Sequence, residues 1–410
     1  MDMRQDCEQI VKNALNQVRP DGAVCRALAE EHFGYGRLIL VAVGKAAWSM
    51  ANAACEILDR PVDAGIVITK YGHSGGPVGS LELYEAGHPV PDENTFRATA
   101  RALELTKSLS QADTVLFLLS GGGSALFEQP LIPAGELQDI TNQLLACGAD
   151  IVEINTIRKR LSAVKGGRFA QHCIPARVFS VVLSDIIGNP MDMIASGPAY
   201  PDSSTSEQAE VIVKKYGIHL SAAAREALKR ETPKRLDNVD SRIIGSVTEL
   251  CRAAAESCEA LGYRPVILTD SMTCQAREAG AFLAAMARYH QNSGESLAFL
   301  AGGETVVKLT GTGLGGRNQE IALSAAAGIE GLQDTAVFSL GSDGTDGPTD
   351  AAGGFVTGVT AGALRKQGVD IFDVLARNDA YHALEICDGL LMTGATGTNV
   401  NDVSVLLIRR

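Results

Sequence analysis

The residues with the clearest chemical potential lie within 297–354, where two short apolar runs each lead into glycines mixed with acidic residues. Between these runs, a glycine-rich loop ends in Arg317 and is followed by an alanine-rich segment typical of a helix. Glycine lets backbone N–H groups turn toward a ligand, and arginine can bind a phosphate or carboxylate through two parallel hydrogen bonds. Glu304, Asp343 and Asp346 supply carboxylate oxygens of the kind that Mg²⁺ prefers. The stretch therefore predicts an anionic ligand held together with a divalent cation.

A second group of candidate residues lies in the first half of the chain. Lys45 follows Gly44 directly after an apolar run, and Gly121–Gly123 lie between Ser120 and Ser124 after another. A strand followed by glycines and a helix can bind an anion through backbone N–H groups, and a neighbouring ammonium can contact phosphate. Two structural explanations stay open, because a lysine at a strand end can simply extend its ammonium to solvent and the glycines can form a turn without a ligand.

Two further positions have the residue types of a binding site. Lys165 precedes two glycines, which would allow a ligand to approach the backbone closely. Asp185 follows an apolar run, and ligands in open α/β sheets bind at the carboxyl ends of strands, so this residue is a candidate metal ligand or catalytic base. The loop that follows begins at Asn189 and contains Asp192, for which turn chemistry is an equally good explanation.

One motif favours a different kind of enzyme. Residues 311–316 read G-T-G-L-G-G, which matches the dinucleotide-binding pattern G-x-G-x-x-G, and Asp343 stands where a ribose-binding acid would lie. This interpretation predicts an NAD(P)-dependent dehydrogenase. Against it, Lys308 lies among alternating polar residues before the loop, unlike a buried first Rossmann strand. The chain has no G-x-x-x-x-G-K-[ST], G-x-S-x-G or H-E-x-x-H sequence, so these patterns identify no P-loop, serine-hydrolase elbow or histidine zinc site.

The elements that would position these residues alternate between apolar runs and helix-period segments, which predicts α/β architecture. A charged segment with Pro233 separates two such series, so we predict an N-terminal domain at 1–236 and a C-terminal domain at 237–410. The first is expected to be Rossmann-like with a parallel sheet. The second is expected to have a mixed sheet, because residues 305–310 alternate apolar and polar side chains like a half-exposed strand. The strands predicted for the first half are 37–43, 64–69, 114–119 and 177–183.

Composition restricts the class of protein. A chain of 410 residues is long enough for two hydrophobic cores. Its net charge of −12 argues against nucleic acid or an anionic membrane as a partner, and no apolar run approaches the ~20 residues of a membrane-spanning helix. Nine cysteines without a C-x-x-C pair, and an acidic N-terminus without a signal-like run, predict a cytoplasmic protein with reduced thiols.

The chain resembles the class II glycerate 2-kinases, whose C-terminal half is the MOFRL domain, over nearly its whole length. The first half carries the resemblance in VAVGKAAWSMA (41–51), EAGHPVPDENT (85–95), LLSGGGSAL (118–126), NTIRKRLSAVKGGR (155–168) and LSDIIGNPMDMIASGP (183–198). The second half carries it in AGGETVV (301–307), GLGGRNQEIAL (313–323), GSDGTDGPTDAAG (341–353) and TGATGTNVND (393–402). The chain departs from the usual family residues at Ser342, Thr345 and Ala395, and none of these departures removes a charged group.

The resemblance implies ATP-dependent phosphorylation of D-glycerate at O2, with Mg²⁺ or a similar cation, in a cleft between two domains. It implies that Lys45 and Arg317 are catalytic, and we add Asp185 as a third candidate. Metal candidates are Asp185, Asp343 and Asp346. We expect the segment after about residue 393 to return to the same cleft. Candidate substrate- or phosphate-binding residues are Gly44, Ser120, Gly121, Gly122, Gly123, Ser124, Lys165, Glu304, Gly315, Gly316, Asn318, Thr398 and Asn399.

Two alternative functions stay open from the sequence. Relatives labelled hydroxypyruvate reductases, together with the G-x-G-x-x-G match, keep an NAD(P)-dependent reductase as one alternative. A non-catalytic sensor of phosphorylated metabolites is the other. The expected partners are therefore a small hydroxy acid and a nucleotide, and an oligomer is possible.

Overall fold

The computed structural model describes residues 2–188 and 190–410, which form two compact units. The first unit comprises Ala23–Ser184 and 190–244, and the second comprises 2–22, Asp185–Gly188 and Gly245–Arg410. Each unit is built around one six-stranded sheet flanked by helices, which confirms the predicted α/β class.

The sheet of the first unit has the strand order β3-β2-β1-β4-β5-β6, and the pairs from β3 to β5 are all parallel. Its strands are β1 (Leu38–Val43), β2 (Ala64–Lys70), β3 (Glu82–Ala86), β4 (Thr114–Leu119), β5 (Arg177–Leu183) and β6 (Val239–Gly245). Every residue of β1 and β4 is buried, as expected for central parallel strands covered on both faces. The four strands predicted from the first half are confirmed to within one residue at each end.

Ten helices lie between residues 3 and 229 in the described part of the chain. They are α1 (Met3–Gln17), α2 (Pro20–Leu28), α3 (Ala47–Ile57), α4 (Glu93–Leu105), α5 (Gly123–Leu126), α6 (Ala134–Ala146), α7 (Ile151–Arg160), α8 (Arg168–His172), α9 (Ser206–Tyr216) and α10 (Ala222–Lys229). A continuous helical stretch from Asn155 to His172 is predicted by the sequence, and this is wrong. The chain breaks between α7 and α8, where Gly166 and Gly167 have φ angles of 58° and 82° in the left-handed region.

The sheet of the second unit is mixed, as predicted, with the order β11-β10-β9-β12-β8-β7. Strands β7 and β8 are parallel, and the other neighbouring pairs are antiparallel. Its strands are β7 (Arg264–Met272), β8 (Leu297–Gly303), β9 (Thr335–Gly341), β10 (Gly353–Thr357), β11 (Leu390–Leu391) and β12 (Asp402–Ile408). Its later helices are α11 (Val247–Ala260), α12 (Ala276–His290), α13 (Arg317–Gly328), α14 (Thr360–Lys366), α15 (Ile371–Ala376) and α16 (Ala380–Ile386).

The predicted half-exposed strand at 305–310 is wrong. Only Val306 forms a bridge, with Gln275, and the described residues after it are irregular. The N–H groups of Thr310 and Gly311 donate to the Asn378 side chain, at 2.7 and 2.9 Å, rather than to a neighbouring strand. Alternation of apolar and polar residues is therefore a weak signal when a side chain supplies the hydrogen-bond acceptor.

The division into units differs from a single boundary at 236/237 in three places, one of which is the short segment Asp185–Gly188 that groups with the second unit. Helix α1 packs on α11, with Asn13 donating to Ser257 over 3.0 Å, so residues 2–22 group with the second unit. Strand β6 extends the first sheet beside β5, where the Val178 N–H donates to the Asn238 carbonyl over 2.7 Å. Within residues 2–188 and 190–410, no helix combines the length and apolar character that crossing a membrane requires.

Candidate functional site

The parallel register of the first sheet brings Lys45 beside the triple glycine. Val43 and Leu119 are register partners at the ends of β1 and β4, so the loops that follow both strands begin side by side. The Lys45 N–H donates to the Gly121 carbonyl over 2.9 Å. Ser120, buried beneath, accepts from the Ala46 N–H over 3.1 Å. Neighbouring strands thus position two segments that are 75 residues apart in sequence.

Gly44 and Ser120 act in this structure as packing partners for each other. Gly44 has a φ of 122°, and a Cβ at this position would lie 2.2 Å from the Ser120 hydroxyl. The Ser120 hydroxyl also lies 3.4 Å from the Val43 carbonyl. Their role here is to hold the two loops in contact, which only a glycine at position 44 permits.

The loop of Gly121–Gly123 has the properties of an anion-binding loop. Among the described residues, none accepts a hydrogen bond from the backbone N–H groups of Gly121, Gly122, Gly123 or Ser124. The half-buried Lys45 forms no ion pair with any carboxylate of residues 2–188 and 190–410. A Cβ on Gly122 would lie 3.2 Å from Lys45 Cγ, which places the lysine stem against the loop. Unpaired donors and an unpaired cation are suited to binding an anion.

His88 lies at the same place and was not among the candidate residues predicted from the sequence. Its ring approaches the same Gly122 Cβ position to 3.1 Å. Partial burial, and then the charges of Lys45, Lys70 and His73, lower the pKa of His88 below its ordinary value. The signal for it was present in the motif EAGHPVPDENT. The sequence places His88 in a loop rich in glycine and proline, where a surface or turn histidine is the commoner explanation. The polar edge strand β3, which ends two residues before it, was not predicted.

Lys165, predicted to bind substrate or phosphate, is directed into the protein instead. Its side chain is fully buried, and its ammonium donates to the carbonyls of Ser124 and Phe127, each over 2.8 Å. The buried Glu128 carboxylate lies 3.2 Å from the ammonium. Burial lowers the pKa of Lys165 to about 8, in spite of the opposing charge of Glu128. In this structure Lys165 supports the glycine loop from behind.

Ser124 is held by its side chain as well as by its backbone. Its hydroxyl lies 3.0 Å from the hydroxyl of Ser196, which donates to the Asn155 side chain over 3.0 Å. Arg158 donates to the Ser124 carbonyl over 3.1 Å. These contacts leave the Ser124 N–H as the group that a ligand could still reach.

In the second unit, Arg317 is held by two carboxylates. Its Nε and Nη2 donate to Asp402 over 2.5 and 3.0 Å, and Nη1 donates to Glu304 over 3.0 Å. Burial opposes the charge of Arg317, but the hydrogen bonds to Asp402 and the neighbouring carboxylates outweigh it and raise its pKa further. About a third of the Arg317 side chain remains exposed (32%), so one edge of the guanidinium can still meet a ligand.

Asp402 was missed by sequence reasoning although it closes the motif TGATGTNVND. It is the first residue of β12, and its register partners are Gly303 at the end of β8 and Gly341 at the end of β9. Its carboxylate is buried, and this burial raises its pKa above the ordinary value. The sequence does not reveal this placement, because β12 lies between strands that precede it by 60 residues or more.

Asp346, predicted to bind metal, caps helix α13. Its carboxylate accepts from the N–H groups of Asn318 and Gln319, over 3.2 and 2.8 Å, and from the Asn318 side chain over 3.3 Å. Burial raises its pKa to about 7. A Cβ on Gly316 would lie 2.2 Å from its carboxyl carbon, so this glycine is needed for the close approach. The N-terminus of α13, where the candidate residues Gly316 and Asn318 lie, is thus largely occupied by the protein's own carboxylate.

The glycine-rich loop before α13 donates three of its six backbone N–H groups to residues 377–379. The Gly311 N–H donates to the Asn378 side chain over 2.9 Å, and the Gly313 N–H donates to the Arg377 carbonyl over 2.9 Å. Within the described residues, no acceptor is found for the N–H groups of Gly315 and Gly316, which leaves a smaller anion-binding element than predicted. No strand immediately precedes the loop in the described chain, so it lacks the context of a dinucleotide-binding fingerprint.

The three metal candidates are not gathered into one site. Across residues 2–188 and 190–410, no three His, Cys, Asp or Glu side chains are arranged to hold a metal ion. Asp343 is half-buried, and its Oδ1 accepts from the Thr345 N–H over 3.0 Å. Asp185 follows β5 and is also half-buried. Mg²⁺ is commonly held by one or two carboxylates together with substrate phosphates, and Asp343 and Asp185 fit that requirement. Asn189 lies outside the described residues.

The segment after residue 393 folds onto the Asp343 loop within the second unit. Thr396 donates to the Ser342 carbonyl over 2.5 Å, and the Val400 N–H donates to the Ser342 hydroxyl over 2.8 Å. Thr398 is buried and donates to the Val18 carbonyl over 3.0 Å, while Asn399 is half-buried. Of the two predicted binding residues, Asn399 is therefore the more accessible.

Comparison with known proteins relates both halves of the chain to described families. Residues 6–229 match the family described as a domain of unknown function, DUF4147, and residues 297–402 match the MOFRL family. The chain is 52% identical to the D-glycerate 2-kinase of Thermotoga maritima, over 98% of this chain and 97% of that protein. It is 37% identical to the glycerate 2-kinase of Pyrococcus horikoshii, over 100% of this chain and 98% of that protein.

A solved structure is similar over the same range. The crystal structure of the glycerate kinase from Thermotoga maritima matches with a TM-score of 0.96 at 51% identity. The match covers 99% of each chain. The similarity therefore extends over both sheets, including the loops that carry Lys45 and Arg317.

Proposed function

The chain belongs to the MOFRL-domain glycerate kinase family, and we propose that it transfers the γ-phosphoryl group of ATP to the O2 hydroxyl of D-glycerate. It is an enzyme of the phosphotransferase class. The product of the proposed reaction is 2-phosphoglycerate. The observation that carries the proposal is the unpaired Lys45 ammonium beside the four backbone N–H groups of Gly121–Ser124, which donate to no acceptor among the described residues.

In the proposal, Lys45 and the glycine loop hold phosphate oxygens. Phosphoryl transfer needs alignment and neutralisation of charge more than covalent chemistry from the protein. The loop is held in place by Lys165 and Ser120, so its donors need little reorganisation when charge develops on the transferring group. Lys45 adds a positive charge that forms no ion pair with a carboxylate of the described residues.

We assign Arg317 to the carboxylate of glycerate or to the transferring phosphoryl group. Asp402 and Glu304 fix the guanidinium from one side and leave about a third of the side chain exposed. Both clusters would serve one active site, as the family resemblance implies. Mg²⁺, held by Asp343 or Asp185 with the nucleotide phosphates, would neutralise phosphate charge when bound.

The test is a coupled measurement of ADP release with ATP, Mg²⁺ and D-glycerate, run beside matched reactions with L-glycerate and without hydroxy acid. The proposal expects ADP formation that requires D-glycerate, and a product that carries phosphate at O2. Oxidation of NAD(P)H by hydroxypyruvate without ADP formation would instead identify a reductase. Thermal stabilisation by both ligands without turnover would identify a sensor. Either result contradicts the proposal.

A further inference from the structure

His88 lies where the carboxyl ends of four parallel strands converge. Strand β3 ends at Ala86, whose register partner on β2 is Lys70. Strand β2 is in turn the neighbour of β1, which precedes Lys45, and β4 follows β1 in the sheet. The loop after β3 therefore belongs to the same edge as Lys45 and the glycine loop, where ligands bind in open α/β sheets.

One edge of the His88 ring faces the glycine loop. Both Cδ2 and Nε2 lie 3.1 Å from the position that a Cβ on Gly122 would occupy, and Lys45 Cγ lies 3.2 Å from that position. Among the described residues, no hydrogen-bond partner is found for either ring nitrogen. A half-buried imidazole with an unpaired nitrogen beside the lysine is placed to exchange a proton with a bound molecule.

The surroundings favour the neutral ring. Burial lowers the pKa of His88, and the cationic groups that face it, Lys45, Lys70 and His73, lower it further. At pH 7 the imidazole therefore has a lone pair available. The carboxylates of the same loops are already engaged. Glu85 accepts from the Ser74 hydroxyl over 2.7 Å, and Asp92 caps α4 through the Thr95 N–H over 2.9 Å.

We propose that His88 is a catalytic residue whose Nε2 accepts the proton of the substrate's O2 hydroxyl during phosphoryl transfer; the proposal rests on the proposed function. The O2 oxygen forms its bond to the γ-phosphorus as the bond from that phosphorus to the β,γ-bridging oxygen breaks. The electron pair of the broken bond leaves with ADP. The proton passes to His88 and is then released to solvent.

The variants that test this role are His88→Gln, His88→Ala and, as a matched control, His73→Gln, which alters an exposed histidine of the neighbouring loop. In His88→Gln we expect kcat to fall roughly 10²-fold, the size typical of general base catalysis, with KM for D-glycerate unchanged. The kcat of the wild-type enzyme falls as the pH drops through the His88 pKa, because the protonated ring cannot accept a proton. This acidic limb should vanish in His88→Gln and persist in His73→Gln. Added imidazole should partly restore kcat in His88→Ala.

The outcomes separate this proposal from the proposed function. If the wild-type protein releases no ADP with D-glycerate, the kinase assignment fails and the role of His88 fails with it. If the wild-type protein is an active kinase, the proposal is overturned by near-normal kcat in folded His88→Gln. It is also overturned if kcat falls but the acidic limb remains and imidazole restores nothing, since that pattern indicates a structural role. Far-ultraviolet circular dichroism of each variant verifies the fold.

Discussion

Two glycine-rich loops, each next to a cation, have opposite structural uses. In Gly121–Gly123 the backbone N–H groups have no acceptor among the described residues, and Lys45 has no carboxylate partner there. In 311–316 the N–H groups of Gly311, Gly313 and Leu314 donate to residues 377–379. Arg317 beside them is held by two carboxylates.

The difference lies in what glycine permits at each place. In the first loop, a glycine with φ of 85° at position 122 turns the backbone and leaves its donors available. In the second, the glycines permit close approach of the protein's own atoms. A Cβ on Gly313 would lie 2.5 Å from Asp379 Cβ, and one on Gly316 would lie 2.2 Å from the Asp346 carboxyl carbon. A glycine-rich sequence therefore indicates an unusual backbone, and the neighbouring contacts decide whether a ligand uses it.

The largest expected effect is that of Arg317→Ala, because this arginine contributes both to chemistry and to the fold. We expect kcat to fall by roughly 10²-fold or more as transition-state charge loses a partner. We also expect the free energy of unfolding to fall by about 3 kcal/mol, because buried Asp402 is left without its arginine. Steady-state kinetics and urea unfolding measure the two quantities separately.

A double variant sharpens this expectation. In Arg317→Ala/Asp402→Asn the uncompensated carboxylate is gone, so most of the lost stability should return while kcat stays low. Recovery of kcat together with stability would mean that Arg317 has only a structural role. The cation beside the second loop would then not take part in catalysis.

Lys165→Met tests how much the buried ammonium beneath the Gly121–Gly123 loop contributes to the stability of the protein. The change leaves the buried Glu128 with only Arg158, 3.8 Å away, as a cationic partner, so we expect a loss of about 3 kcal/mol in the free energy of unfolding. In Lys165→Met/Glu128→Gln most of that loss should be recovered. Denaturant titration of the two variants and the wild-type protein measures this, and equal stability of the single and double variants would contradict it.

The same pair predicts a dependence on pH. The pKa of Lys165 is about 8 in the folded protein against an ordinary value of 10.5, so between these values the unfolded chain binds more protons than the folded chain. Stability conferred by this group therefore rises with pH across that window. Relative to Lys165→Met/Glu128→Gln, the wild-type protein should become more stable from about pH 8 to about pH 10. A difference independent of pH would count against the assignment.

The smallest change in stability is expected for Lys45→Ala. Because this lysine forms no ion pair with the described residues, its removal should alter the free energy of unfolding by less than about 0.5 kcal/mol, while kcat falls roughly 10²-fold. Thermal unfolding and ADP-release kinetics measure both. Strong destabilisation by Lys45→Ala would show that the first loop, like the second, uses its cation for folding.

The strands β1, β2, β4 and β5 could be predicted because they are mainly apolar runs, as expected for parallel strands that are buried on both faces. The polar edge strand β3 has no such run, so its position was not predictable and neither was the place of His88. Asp402 was missed for a different reason. Its partners depend on β12 pairing with β8 and β9, a contact distant in sequence that no local pattern encodes. Lys165 was assigned to ligand binding because its burial depends on the break between α7 and α8.

The position of β12 also affects how the protein is made. This strand, last in sequence order among the described residues, is inserted between β9 and β8 rather than added at an edge. During synthesis from the N-terminus, β9 and β8 have no strand between them until residues 402–408 have left the ribosome. The second sheet therefore stays incomplete until that point. The same strand carries Asp402, so Arg317 gains this carboxylate partner only after residues 402–408 have been made. A truncated copy thus has neither a closed sheet nor an oriented arginine, and its exposed strand edges mark it for aggregation or proteolysis.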